Sequence, residues 1–179
     1  MEGLRLFHVS EDARIRTFVP RPSPSQFDAI RKEVVFAISE RLLHNYLLPR
    51  DCPRVCYYAG SQTSPEDRQA FLGQFSASFV IAVENRWIKT IERTTLFLYE
   101  FPAQDFWLLD ENAGYYISEK TIVPVSVRPI YNILEEMLKR DVELRFMPSI
   151  NELSEAVSHS SLNFSLIRMR NSNGAMPVF

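Results

Sequence analysis

Five glycines in 179 residues are too few for most of the chemistry that depends on a glycine-rich turn. Neither a G-x-x-x-x-G-K-[ST] loop nor a G-x-G-x-x-G turn occurs, so phosphate cradles of those two kinds are excluded. There is no H-E-x-x-H pair and no G-x-S-x-G elbow, which sets aside zincins and ordinary α/β-hydrolases. Two cysteines, Cys52 and Cys56, and three scattered histidines, His8, His44 and His159, make neither a disulfide framework nor a zinc site. No metal is expected, and the cysteines read as small apolar residues of a core. No apolar run is long enough to span a bilayer, and the first residues lack the basic-then-apolar order of a signal peptide. A cytoplasmic protein with no membrane partner is the expectation. Twenty basic and 22 acidic residues leave a net charge of −2, too small a field to advertise nucleic-acid binding.

What is present is a core. Apolar residues make up 46% of the chain and aromatics 12%, enough for one domain over residues 1–179 that buries roughly 70% of its unfolded surface. Short apolar runs at 4–9, 34–38, 54–58, 79–83, 95–101, 115–118, 122–127, 143–147 and 164–169 read as strands. Pro124 interrupts the seventh and argues for a sheet edge or a bulge there. Ser64-Pro65-Glu66-Asp67 starts a helix: serine caps, proline suits the first turn, and acids favour the positive end of the dipole. Ser39 and Ser149 are further candidate caps. Ile130, Ile133, Leu134, Met137 and Leu138 repeat at helical spacing and predict a helix over 129–140. Prolines at 20, 22 and 24 keep that loop irregular, and residues 171–174 read as the start of a polar tail. The expectation is an α+β domain: a mostly antiparallel or mixed twisted sheet with several short helices.

Three places could carry chemistry. The first strand ends in His8, Ser10 and Glu11, and residues 8 and 10 of a strand share a face, so imidazole and hydroxyl point the same way. A strand end meeting water explains the same residues. His44 reads as a surface or packing residue. The turn Pro49-Arg50-Asp51-Cys52-Pro53-Arg54 displays arginine forks that suit phosphate or carboxylate; an internal ion pair holding the loop is the alternative. Tyr115 and Tyr116 face opposite ways on one strand, one into the core and one outward, with Glu111 and Glu119 nearby. An exposed tyrosine beside a carboxylate can stack on a flat ring, and packing alone also accounts for tyrosines in strands. Arg168 and Arg170 could neutralise phosphates or simply be solvated.

The strings Leu6-Phe7-His8-Val9-Ser10-Glu11, Phe18-Val19-Pro20-Arg21-Pro22, 45–54 and Ile167-Arg168-Met169-Arg170-Asn171 resemble an uncharacterised bacterial single-domain family. That resemblance covers nearly the whole chain and implies no activity. A looser one is to ADP-ribosyltransferase-like domains, through His8 and Ser10, the strand leading to Tyr46, and Tyr116 to Glu119 with Val123-Pro124. It implies an NAD cofactor with His8 and Ser10 at the ribose, an aromatic such as Tyr46 or Tyr116 against a ring, and Glu119 (or Glu111) as the catalytic carboxylate. Arg50 and Arg54, from the 49–54 turn, complete the expected cofactor-binding set. The chain departs from that pattern where Gly114 and Tyr115 precede the strand's hydrophobic pair. The rival expectation is a protein with no small-molecule chemistry that contacts a partner or a second copy of itself through exposed aromatics and the 20–24 loop.

Overall fold

Among the described residues, apolar runs and turn residues set out ten strands, β1 (Leu6–Ser10), β2 (Val35–Ser39), β3 (Arg54–Tyr58), β4 (Phe79–Glu84), β5 (Leu96–Phe101), β6 (Trp107–Asp110), β7 (Tyr115–Ser118), β8 (Ser126–Ile130), β9 (Val142–Met147) and β10 (Asn163–Ile167). The computed structural model describes residues 3–23, 27–73 and 77–174. Pro24 of the proline loop lies outside them. Two discontinuous compact units result, one from residues 1–43 and 95–131, the other from 44–94 and 132–179.

The first unit holds a six-stranded antiparallel sheet ordered β6-β7-β2-β1-β5-β8. One face carries the cluster Leu6, Phe18, Val35, Ala37, Tyr99, Phe101 and Ile122. An isolated bridge, Phe18 to Ile122, ties the segment after β1 to the one after β7. Tyr99 is fully buried, donates its hydroxyl to the Asp12 carbonyl at 2.6 Å and accepts from the Ile15 amide at 3.2 Å. Burying those polar groups without such bonds would be costly.

The second unit holds a mixed four-stranded sheet ordered β10-β3-β4-β9, in which only β4 and β9 are parallel. Strand β3 is buried along its whole length and β4 nearly so, as continuous apolar runs require. Among the described residues, four short α-helices belong here: α1 (Pro65–Asp67), α2 (Ile88–Arg93), α3 (Ile133–Leu138) and α4 (Asn151–Ser158). Ser64 caps α1 as its sequence implies, accepting from the Asp67 amide at 3.1 Å. Ser149 accepts from the Asn151 amide at 3.4 Å, at the start of α4.

The fold is α+β, as expected. Three local readings need correction. The helix expected from residue 129 starts at Ile133, because Asn132 is its cap and accepts from the Glu135 amide. Pro129 sits in β8, an edge strand, where a missing N–H is tolerated. The strand expected over 122–127 is reduced to its last two residues, with Pro124 outside any strand. Residues 171–174 are held to the fold rather than trailing from it: Ser172 is buried and donates to Asn151, and the Asn173 amide donates to Glu84 at 2.6 Å.

Candidate functional site

Sheet order brings two of the three candidate groups to one end of one sheet. Strands β1 and β7 both run antiparallel to β2 and flank it, so they run the same way. Ser10 and Ser118 therefore end at the edge where β2 begins, and Val35 is paired with Ser118. His8 and Tyr116 lie on strands two places apart in the sheet, with β2 between them. Strand β1 is laddered to β5 along all five residues. To β2 it is paired only at Leu6 and Phe7, opposite Ser39 and Ile38. Beyond Phe7 the β1–β2 ladder stops, and His8 and Ser10 lie along that open seam.

The His8 ring is half-buried, 4.8 Å from the Phe18 ring and stacked on Phe101 at 6.1 Å. Ser10 accepts from the Asp12 amide at 3.1 Å, which leaves its hydroxyl proton for another acceptor. Tyr116, paired with Ala37, packs on the core cluster of this face. Tyr115 turns to the other face and meets Phe27 and Phe36 edge-on. Both tyrosines are half-buried, so neither is the fully outward ring that alternation alone suggested. Glu119, one residue past β7, is exposed and pairs with Lys32 at 2.8 Å, a contact that holds the Lys32 ammonium above its ordinary pKa. Glu111 is exposed in the β6–β7 turn, at the other end of β7. An open recess of about 570 Å³ lies beside Pro22, Phe27, Ile30 and Lys32. None of His8, Ser10, Tyr116 or Glu119 lines it, although Lys32, the partner of Glu119, does.

Tyr46, Arg50 and Arg54 belong to the other unit. Arg50 and Asp51 are exposed, as the two-proline turn suggested, but Arg54 is 2% exposed and points inward. Its Nη1 donates to the carbonyls of Pro49 and Cys52 at 3.2 Å each, and its guanidinium lies 5.8 Å from the Tyr46 ring. The other two carbonyls of the turn are taken from outside it: Arg168 Nε donates to Arg50 at 3.3 Å and Asn171 Nδ2 to Asp51 at 2.7 Å. Four successive carbonyls, 49 to 52, are thus held by three side chains. Arg168 has left-handed backbone, φ 55°, at the end of β10. This bracing joins the turn at 49–54 to the segment after β10, and no spacing rule would have joined them.

His44 is buried against Phe79, rings 4.2 Å apart, which fits the packing reading. Cys52 and Cys56 are free and buried, and burial pushes both thiols up to about 12. They are protonated at neutral pH and poor nucleophiles. Among the described residues no group of His, Cys, Asp and Glu could hold a metal ion, and no helix is long and apolar enough to cross a membrane.

Residues 7–172 match a family of unknown function, DUF6886. The chain belongs to that family. The match runs from β1 to the segment after β10, so it takes in both units and every candidate residue. It bears out the resemblance to an uncharacterised family, and DUF6886 brings no activity with it. No curated protein and no solved structure matches the chain.

Proposed function

We propose that this member of DUF6886 binds NAD or a related nucleotide at the end of its six-stranded sheet. The observation that carries the reading is the seam between β1 and β2, which puts His8 and Ser10 at one sheet end with the carboxylate that follows β7. His8 and Ser10 hydrogen-bond the ribose hydroxyls, and Tyr116 gives a flat ring its stacking surface. Glu119 is the catalytic carboxylate of an ADP-ribose transfer. As the C–N bond breaks, nicotinamide departs with the bonding electron pair and Glu119 faces the positive charge left at the ribose carbon. A nucleophile of the acceptor (an alcohol, an amine or, in its absence, water) then bonds that carbon and gives up its proton to the solvent. Lys32 must release Glu119 for this, so the ion pair is the resting state of the site. Free, protonated thiols at 52 and 56 suit the cytoplasm, where NAD is abundant and thiols stay reduced.

Calorimetric titration with NAD and with ADP-ribose tests the reading. Saturable heat with the wild type, lost in His8→Ala, supports it; no heat from either ligand with the wild type overturns it. Glu119→Gln then separates binding from chemistry, because it keeps the heat and loses nicotinamide release.

A second reading rests on β8. This edge strand and its approaches expose Val123, Val125, Val127 and Tyr131 at 63, 63, 49 and 74%, and an exposed apolar edge is a template for pairing with a second copy. Sedimentation equilibrium decides: a dimer that Val127→Lys converts to monomer supports self-association, and a wild-type monomer at high concentration removes it.

A further inference from the structure

Arg54 is a buried cation that bonds no carboxylate among the described residues. It donates to the two turn carbonyls, and its buried Nε–H meets no acceptor among the described residues. The nearby buried acid, Glu84, is occupied elsewhere: its oxygens accept from Arg86 Nε at 2.7 Å and from the Asn173 amide. A buried charge normally has a paired counter-charge, because burial alone costs several kcal/mol. Here a second cation stands close instead. Burial lowers the pKa of Arg54, and Arg168 lowers it further. Arg168 spends only its Nε on the Arg50 carbonyl, and Arg170, two residues on, is exposed and has no bonding partner among the described residues. Arg50 lies in the turn, Arg54 and Arg168 both donate to its carbonyls, and Arg170 is carried on the short segment that Arg168 and Asn171 tie to it.

We propose that the turn at residues 49–54, with Arg168 and Arg170, is a binding site for a phosphate group. Arg168 and Arg170 offer forked donors to two phosphate oxygens, and Arg54 supplies a fixed positive charge behind the turn. The ligand class is a phosphorylated small molecule or inorganic phosphate itself. This site does not depend on nucleotide binding at the β1–β2 seam, since it lies wholly in the other unit.

The test titrates the full chain with inorganic phosphate at constant ionic strength and follows arginine Nε–H resonances by ¹⁵N NMR. Sodium chloride, sulfate and acetate are the comparison anions. Expected are saturable shifts at Arg168 and Arg54 with phosphate, and at least tenfold weaker binding in the double variant Arg168→Ala/Arg170→Ala. Arg170→Ala alone, which removes no hydrogen bond seen here, keeps the result readable if loss of Arg168 unsettles the turn, and weakens binding threefold or more. Arg93→Ala, an exposed arginine of α2, leaves affinity unchanged. The proposal is overturned if phosphate behaves like chloride, or if the double variant binds it as the wild type does. Adenosine monophosphate separates sources: shifts equal to those of free phosphate mean that the phosphoryl group alone is read. Tighter binding means that the rest of the ligand is read too. Failure of NAD to bind at His8 would leave these resonances, and this outcome, untouched.

Discussion

The sheet end of the first unit and the arginine turn of the second use the same kinds of residue to opposite effect. At the sheet end, among the described residues, Ser10 keeps an uncommitted hydroxyl proton and Glu119 is tied only by an exposed lysine. An exposed ion pair of that kind contributes little and breaks easily. At the turn, Arg54 is buried and its reach is spent on backbone carbonyls, with Arg168 and Asn171 completing the brace. Polar groups at the first place are available to a ligand; at the second most of them hold the chain in shape. What distinguishes the two is the solvation of the side chain, which residue type alone does not encode.

The contrast is broken most sharply by Arg54→Ala. Truncation relieves the cost of a buried charge, but it removes the Arg54 bond to the Cys52 carbonyl, takes one of two donors from Pro49, whose carbonyl keeps the Cys52 amide at 3.0 Å, and leaves a cavity beside Tyr46. The net expected loss is about 3 kcal/mol. Each unit contains one tryptophan, Trp107 in β6 and Trp87 just before α2. Urea unfolding followed by Trp87 fluorescence in a Trp107→Phe background measures the loss where it occurs. A loss below about 1 kcal/mol would mean that the brace is not structural. Next in size is Tyr99→Phe in the first unit. It deletes the hydroxyl that bonds Asp12 and Ile15, both in the segment following β1, for an expected cost of about 1.5 kcal/mol. The same variant loosens the loop that carries Phe18 onto His8, so nucleotide affinity should fall with it, as titration calorimetry would register.

Long apolar runs made the fold legible: β3, β4 and β5 fall within one residue of their sequence readings, since a strand buried on both faces needs continuous apolar side chains. The start of α3 was misread because its apolar period extends backward into an edge strand, where Ile130 is also buried. Strand β6 was missed: Trp107 and Leu108 are both exposed, so the segment has no inward period to detect. For the candidate site, local cues placed His8 and Ser10 together because two residues of one strand share a face. The inward turn of Arg54 depends on carbonyls it meets only after folding, and its partnership with Arg168 spans more than a hundred residues. No local pattern contains that information.

The smallest effect sharpens the comparison through pH. Asp67 is held below the ordinary aspartate pKa first by the Ser161 hydroxyl and Asp141 by that of Ser78, both in the second unit. Glu100 is lowered first by Arg5, and Asp12 by the Arg14 amide, in the first unit. Each folded-state pKa lies below its unfolded value, so the unfolded chain binds protons first as pH drops. The stabilisation is therefore complete above about pH 5 and is lost as pH falls through the carboxylate range. Melting temperature should be flat from pH 5 to 7 and decline below 4. In the Trp107→Phe background, Ser161→Ala should flatten the decline reported by Trp87. In a Trp87→Phe background, Arg5→Met should flatten the one reported by Trp107. If both variants move both reporters equally, the two units unfold as one cooperative body, and the carboxylates of each contribute to a shared stability.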